Sequence, residues 1–404
     1  MAVDDLWYSS KRDSVVGADG KKKMLPPTPT RRHGRGKRWR VRYVDDTGKP
    51  RERLFEQKPD AVRFDQGVHT DVDRGLYIDP ADGRQTVEAY AETWRAAQLH
   101  RGSTYELVER TFRRHITPVL GEIPIGRVRS SHLQSWAKNV DLAPSTARIA
   151  YSYLVALFGT AVRDRVIATS PCVGVTLPAV DKAGHLIPTP DQIRAIAANL
   201  PPRYRALVYV GAGCGLRHGE ALGLERRHVD FLRREIHVEQ QLTVTSGRSP
   251  FIAPVKTKTS RRIVELPKPT ADALAWHLRE HPAVLVEVPD ELDRRSPKVR
   301  SAELLFTNTQ SRPIHRASWS HDWQPAARAA GLPERTGFHC LRHYFATLLI
   351  HAGASVKTVQ LALGHSTPIV TLNEYVGQWP DQIDRTRTLV EDSLGAFRVP
   401  EAVA

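Results

Sequence analysis

The chain changes its hydrophobic rhythm twice. Around residues 38–44 apolar and basic positions alternate. Trp39, Val41 and Tyr43 fall on one side, and Arg38, Arg40 and Arg42 on the other. A period of two sends successive side chains to opposite faces, so the pattern predicts a half-buried strand with a cationic face. Asp46-Thr47-Gly48 is a turn signal, 51–55 reads as the returning strand, and a helix follows over about 59–73. Residues 84–175 move to helical spacing. Segments 86–99 and 145–166 carry it, the second through Ile149, Tyr153, Leu157 and Val162. The stretch 115–121 breaks the run, and the pattern resumes over 125–136. Together these predict a compact all-helical unit. Pro178, Gly184 and Pro188 mark 176–188 as a linker.

A third region opens at Thr189-Pro190-Asp191-Gln192, where threonine at the N-cap, proline at N1 and glutamine at N3 form a helix start. Ile236, Val238, Gln240 and Leu242 alternate, and 262–267 reads as the partner strand. After Phe338 helical spacing returns. Gly364 suits a C′ position, Thr367 an N-cap and Pro368 an N1 position, so a helix ends and restarts there. The first 32 residues read as a flexible basic lead, since Lys21-Lys22-Lys23 is followed by Pro26, Pro27 and Pro29. The fold class is mainly α with small β-sheets (α+β). The expected domains are a β-sheet unit at 33–80, a helical unit at 84–175, the linker at 176–188, a mixed domain at 189–385 and a tail at 386–404.

At 404 residues, 41% of them hydrophobic, the chain has material for two or three folded units. Its formal net charge of +15 points to a polyanion partner, because lysines and arginines gain affinity by releasing phosphate counterions. Cys172, Cys214 and Cys340 are odd in number and without C-x-x-C spacing. They suit a reducing compartment better than a disulfide framework or a zinc site, and Cys214 and Cys340 read as small core fillers. The N-terminus lacks a basic start followed by an apolar run, and no apolar stretch approaches the length of a membrane span.

Three segments carry candidate chemistry. In Gly213-Cys214-Gly215-Leu216-Arg217-His218-Gly219-Glu220, Arg217 and Glu220 are i and i+3 and share a helical face. A guanidinium fork fits two phosphate oxygens, which a lysine does less well. Alone, the same pair reads as a structural ion pair. In His339-Cys340-Leu341-Arg342-His343, His339 and Arg342 are again i and i+3, with His343 at i+4, on a helix whose Leu341, Phe345, Leu348 and Leu349 face a core. A lone histidine there is usually a core residue. Beside a permanent cation it becomes a candidate proton carrier. Third, His365 falls in the tight turn before the restarted helix, near an N-terminus that favours anions, and Tyr375 lies about two turns into that helix. Tyr375 reads equally well as a core aromatic. Lys256 and Lys258 lie in the basic run at the expected β-hairpin, either as a solvated loop or as a tip that carries a lysine to a phosphate. The arginine face of the first strand fits a DNA groove, or is a protected sheet edge.

In this order and spacing, the residues resemble the tyrosine recombinase, or phage integrase, family, whose pattern is Arg, Lys, His-x-x-Arg, His (or Trp), Tyr. The similarity spans about 189–380. The helical unit looks like the family's core-binding domain, and 33–80 resembles, more weakly, the arm-binding domain of lambda-type integrases. The resemblance implies site-specific cutting and rejoining of double-stranded DNA without metal, ATP or other cofactor. Tyr375 would attack the scissile phosphate and form a 3′-phosphotyrosine, with a free 5′-hydroxyl. Arg217 and Arg342 would hold the nonbridging oxygens, His339 would accept or assist the tyrosine proton, and His365 would hydrogen-bond the phosphate. Lys256, or Lys258 by the same spacing, would protonate the leaving oxygen, and Glu220 would support Arg217. Arg38, Arg40 and Arg42 would contact arm DNA. Also implied are a homotetramer on DNA, an excision directionality factor, a DNA-bending protein, no membrane association, and a bacterial cytoplasmic, nucleoid-associated location. A type IB topoisomerase shares this chemistry, and a catalytically inactive DNA-binding regulator is the alternative of another class.

Overall fold

The structure is a computed structural model. It describes residues 3–11, 14–16, 22–44, 48–73, 77–79, 81–100, 102–180, 184–245, 247–293 and 295–375. The expected tail at 386–404, residues 376–385 of the expected third domain, and Asp46 and Thr47 of the expected turn lie outside these. The chain divides into two compact units, 1–181 and 182–404.

The first unit begins with β1 (Val3–Asp5), β2 (Ser14–Val16) and β3 (Lys22–Met24). The N-terminal stretch read as a flexible lead therefore contributes strands. β4 (Trp39–Val44) lies between β1 and β5 (Pro50–Phe55), antiparallel to both. The alternation holds: Val41 is buried while Arg42 is exposed, and α1 (Lys58–Asp73) packs on β4. The arginine face is not unopposed, however. Arg38 pairs with Asp5 at 2.8 Å, Arg40 with Asp4 at 2.9 Å, and Arg42 with Asp4 at 3.0 Å. The unexpected strand β1 supplies those carboxylates, because pairing in register brings Asp4 opposite Arg40 and Asp5 opposite Trp39.

The helical part comprises α2 (Val87–Ala96), α3 (Gly102–Thr111), α4 (Thr117–Leu120), α5 (Ser130–Asn139) and α6 (Pro144–Arg163). Thr86 caps α2 by accepting from the Ala89 N–H at 3.2 Å. The expected break at 115–121 is a π-helical turn, Phe112–Ile116, that leads directly into α4. Pro118 has no N–H and its ring would strike the carbonyl four residues back, so the helix widens instead of stopping. The His115 carbonyl then accepts from the buried Trp136 indole at 2.6 Å. Phe112, Ile116, Leu133, Trp136, Leu154 and Phe158 form the centre of this core.

The second unit opens with α7 (Pro190–Asn199), whose Thr189/Gln192 capping box forms as the sequence predicts. α8 (Pro202–Cys214) and α9 (His218–Leu222) follow. The β region is larger than expected. β6 (Val229–Asp230), β7 (Glu235–Val238) and β10 (Arg262–Glu265) make one sheet in the order β10-β7-β6. β8 (Gln240–Thr243), β9 (Phe251–Pro254), β11 (Val284–Asp290) and β12 (Lys298–Leu304) make another, in the order β12-β11-β9-β8. One continuous alternation thus serves two sheets: Ile236 and Val238 face β10, while Gln240 and Leu242 face β9. Buried Glu225, hydrogen-bonded to Gln240 and ion-paired with Arg300, ties the second sheet to the turn before β6. Along the chain, α10 (Lys268–Glu280) falls between β10 and β11. After the strands come α11 (Arg316–Ala329), α12 (His339–His351), α13 (Val356–Leu363) and α14 (Pro368–Tyr375). α8 packs against α10 and α12. A separate small core gathers Phe345, Ile350, Val359, Leu363 and Tyr375.

Candidate active site

Two left-handed glycines set the frame. Gly215, at φ 63°, ends α8, and a Cβ there would collide with the Phe345 ring. Only glycine tolerates both the dihedral and the contact. Gly364, at φ 64°, ends α13 against the backbone of Ser260, 3.0 Å from where its Cβ would stand. The carbonyls beside these turns face one side chain. Arg342, 1% exposed, donates from Nη1 to Gly215 O at 2.7 Å and from Nη2 to Leu363 O at 2.6 Å. One guanidinium thus joins the ends of α8 and α13 and keeps three of its five N–H groups for another ligand. Burial, then the charge of Arg217, pushes it down to about 9, so it stays cationic at neutral pH.

Arg217 caps α9. The carboxylate of Glu220, at N3, accepts from the Arg217 backbone N–H at 3.0 Å and from its Nη1 at 2.7 Å. Glu220 is 1% exposed and also pairs with Arg262 at 3.1 Å. Burial pushes this carboxyl up, but Arg262 and Arg217 outweigh it and hold it below its ordinary range. Arg262, missed in the sequence, is an anchor. It donates to Ala362 O at 2.8 Å and to Ser260 O at 3.0 Å. Ser260 Oγ accepts from Arg217 Nη1 at 3.2 Å and lies 2.8 Å from Thr257 Oγ1. The strand-to-strand connection that carries the lysines is thereby fixed beside Arg217.

Lys256 and Lys258 are not on the hairpin tip. The β8–β9 hairpin closes after the Thr243–Phe251 pair, and both lysines follow β9 in the return to β10, exposed, on either side of Thr257. The strand expected to carry them ends earlier because Gln240 and Leu242 pair with β9 instead of β10.

His339, at the first turn of α12, is exposed at the surface, yet protein crowds the ring on its inner side. This desolvation, then Arg342 and Arg217, pushes the imidazole down to about 4. His365 is buried in the α13–α14 turn. Its Nδ1 lies 2.9 Å from Thr371 Oγ1, and burial followed by Arg342 and Arg217 takes it to about 4. Both rings are therefore neutral near pH 7. Tyr375 is 2% exposed, and its phenol is pushed up to about 12, mainly by burial. Its hydroxyl lies 2.9 Å from His343 Nδ1. The ring fills the small core, and the hydroxyl faces His343. His185, in the segment read as linker, stacks on His343. Nothing in the sequence signalled His185, whereas His343 was visible as the i+4 neighbour of His339.

Cys214 and Cys340 are buried free thiols, pushed up to about 12 by burial, as core residues would be. Among the described residues no His, Cys, Asp or Glu cluster could hold a metal ion, and no helix is long and apolar enough to cross a membrane. The set left is Arg217 braced by a carboxylate, Arg342 held by two carbonyls, the imidazoles of His339, His343 and His365, two exposed lysines on a fixed connection, and a buried phenol. It can hold a tetrahedral oxyanion and deliver an oxygen nucleophile to it.

Comparison with known proteins agrees with this geometry. The phage integrase family model matches residues 188–379, a span that contains every residue of the cluster except His185. A model of the phage integrase N-terminal SAM-like domain matches 86–140. The integrase of Mycobacterium phage D29 is 27% identical over 350 residues, covering 84% of this chain and 89% of the relative. A XerC-like tyrosine recombinase of Caldanaerobacter subterraneus subsp. tengcongensis is 30% identical over 254 residues, covering 59% and 63%. Among solved structures, the Tn1549 transposon integrase in complex with a circular intermediate DNA has the same fold at TM-score 0.65 and 24% identity, covering 76% of this chain and 99% of the other. A lambda integrase dimer bound to a core site aligns at TM-score 0.53 and 16% identity, covering 82% and 91%. With both family models matched in their expected order, and with integrases and tyrosine recombinases as relatives over most of its length, the chain belongs to the phage integrase family of tyrosine recombinases, whose members are DNA strand-transferring enzymes.

Proposed function

We propose that this protein cuts and rejoins double-stranded DNA at specific sites through a 3′-phosphotyrosine on Tyr375, and so integrates and excises a phage or other mobile element. The observation that carries the reading is the Tyr375 hydroxyl beside the α12 face that bears His339, Arg342 and His343. Arg342 is held in place by two carbonyls, and Arg217 by Glu220. Each keeps guanidinium donors for the nonbridging oxygens of a phosphate, and their charge offsets that of the phosphorane. His365 Nδ1 lies 2.9 Å from the Thr371 hydroxyl; in the tautomer in which it accepts from that hydroxyl, the neutral ring carries its hydrogen on Nε2 and donates it to the same phosphate. Lys256 protonates the leaving 5′-oxygen, His339 assists the tyrosine proton, and Glu220 keeps the Arg217 fork in position. No cofactor enters these steps, because the energy of the cleaved bond is retained in the tyrosyl ester.

The working assembly on this reading is four copies on double-stranded DNA in the bacterial cytoplasm, at the nucleoid, assisted by a directionality factor and a DNA-bending protein. The sheet of β1, β4 and β5 binds arm DNA with Arg38, Arg40 and Arg42. Since β1 places Asp4 and Asp5 against these arginines, phosphate has to displace carboxylate there. Binding is then weak and falls steeply with salt. A salt-independent affinity of residues 1–80 for duplex DNA would remove the arm-binding role.

The test is a duplex nicked next to the scissile phosphate of the attachment site, so that the cut strand diffuses away. The full chain is expected to accumulate a covalent adduct that resists denaturation. Tyr375→Phe is expected to form none while binding the same DNA with similar affinity. An adduct in Tyr375→Phe would move the nucleophile elsewhere. Absence of any adduct from the unaltered protein would favour a DNA-binding regulator.

A further inference from the structure

Tyr375 has a second neighbour that the family pattern of residues does not name. His343 follows His339 by four residues and so shares its face of α12. Its Nδ1 lies 2.9 Å from Tyr375 Oη. His185, from the segment before α7, stacks on its other side, with ring centroids 4.0 Å apart and planes inclined by 11°. His185 Nε2 is in turn 2.8 Å from a carboxylate oxygen of Glu374, the residue beside the tyrosine. His339 stands edge-on to His343 at 4.7 Å. The ring is therefore held by His185 and His339, with its nitrogen directed at the phenol.

We propose that His343 orients the Tyr375 hydroxyl and takes its proton during attack, and that His185, pinned by Glu374, is a positioning residue that holds His343 in that orientation. The proposal rests on Tyr375 being the nucleophile. As Oη bonds to phosphorus, its O–H bond breaks and the proton passes to the lone pair on His343 Nδ1. The bond from phosphorus to the 5′-oxygen breaks, and that oxygen takes a proton from Lys256. Rejoining reverses each transfer: the 5′-hydroxyl returns its proton to Lys256, and His343 returns its own to the tyrosine oxygen. His339, named for this role by its place in H-x-x-R, assists the transfer through the His343 ring it stands against.

The groups that face the pair come from several elements. They are His185 before α7, Arg217 at α9, His339 and Arg342 on α12, His365 in the α13–α14 turn and Glu374 on α14. Burial, then His185, His339, Arg342 and His365, pushes His343 down to about 3, so the ring is uncharged and has a lone pair. Burial holds the phenol near 12 despite the pull of Arg342. Without DNA the proton stays on oxygen. A phosphate bound by Arg217 and Arg342 offsets the cationic field that weakens His343 as a base, so the transfer becomes possible when substrate is present.

The experiment measures single-turnover adduct formation by the full chain, on the nicked attachment-site duplex, between pH 6 and 9. Burial keeps His343 uncharged in that window without DNA, and a base that is neutral before attack contributes little slope in the unaltered protein. His343→Asn is expected to react at least tenfold more slowly at pH 7. Its rate should rise about tenfold per pH unit, because the phenol must then ionise unaided. DNA affinity should not change. His185→Phe keeps a stacking ring but loses Glu374; it should slow the reaction several-fold and add nothing in a His343→Asn background. A ligation that consumes no tyrosine serves as the control. In Tyr375→Phe, a strand ending in 3′-(4-nitrophenyl) phosphate is joined to a 5′-hydroxyl strand, releasing 4-nitrophenol. Adding His343→Asn should leave that release unchanged. Unaltered rate and pH profile in His343→Asn would overturn the proposal. So would equal loss of nitrophenol release in the double variant, since His343 would then act on the phosphate or the fold. Nitrophenol release that ignores Arg217→Lys would instead overturn the phosphate-gripping reading beneath it.

Discussion

Glu220→Gln removes one charge and almost no volume, and the structure states what that charge does. The carboxylate is 1% exposed and lies between the guanidinium groups of Arg217 and Arg262, at 2.7 and 3.1 Å, while accepting the Arg217 backbone N–H at 3.0 Å. Glutamine offers one oxygen where two are used, and directs an N–H₂ at a donor. Two cations are then left close together, with Arg342 nearby. Breaking a buried ion pair by removing one partner costs about 3–5 kcal/mol. For a unit of this size that corresponds to a fall in melting temperature of roughly 6–20 °C. The measurement is hydrogen exchange of the amides in 215–224 and 339–350, which reports this unit without averaging over the first. The pH dependence gives an independent check. Glu220 titrates below its ordinary 4.5 in the folded chain. A depressed carboxyl contributes stability that is present above its unfolded value and lost as pH falls through its folded value. The stability gap between the unaltered protein and the Glu220→Gln variant should therefore be full at pH 7 and close as pH falls below 4.5. A loss under about 1 kcal/mol at pH 7, well short of the cost of an unpaired buried charge, or a gap that persists in acid, would refute the brace.

Two further outcomes follow from the same frame. Arg342→Lys should cut the rate of adduct formation by about a thousandfold although charge is kept, because one ammonium cannot span Gly215 O and Leu363 O and still address a phosphate; near-normal rates would make Arg342 a structural link only. Lys256→Ala should regain cleavage on a substrate with sulfur at the 5′-bridging position, since a thiolate leaves without a proton. Lys258→Ala should need no such rescue, and sulfur rescue confined to Lys258→Ala would transfer the role by two residues.

Much of the site was legible because its residues are spaced by helix geometry. His339, Arg342 and His343 are one turn apart, so sharing a face requires only that the segment be helical; Arg217 and Glu220, expected to share a helical face, meet instead because Arg217 is the extended N-cap of α9 and Glu220 its N3 residue. Gly364 and Pro368 announced the turn that carries His365 for the same local reason. Arg262 and His185 were not legible. Arg262 acts across the chain on Glu220 and Ala362, and His185 reaches Glu374 from a stretch with no periodicity. The β region was misjudged because alternation reports a pleated face and not a partner. Residues 236–242 alternate without interruption although they serve two sheets.

The sequence by itself determined the local geometry: the helical phase of His339, Arg342 and His343, the cap of α7, the break at Gly364 and the start of α14 at Pro368, the alternation of β4, and the excess of positive charge. These follow from backbone periodicity, which a few neighbouring residues dictate. Only the tertiary structure decided which groups meet. It gave Arg38, Arg40 and Arg42 carboxylate partners from a strand the sequence did not reveal, moved both lysines off the hairpin tip, and set His343 rather than His339 against Tyr375. Two groups on one helix face are equally available to solvent and to a distant helix. The choice between them is made where α14 packs on α13 and the Tyr375 ring is buried with Phe345, Val359 and Leu363, a contact that no spacing along the chain records.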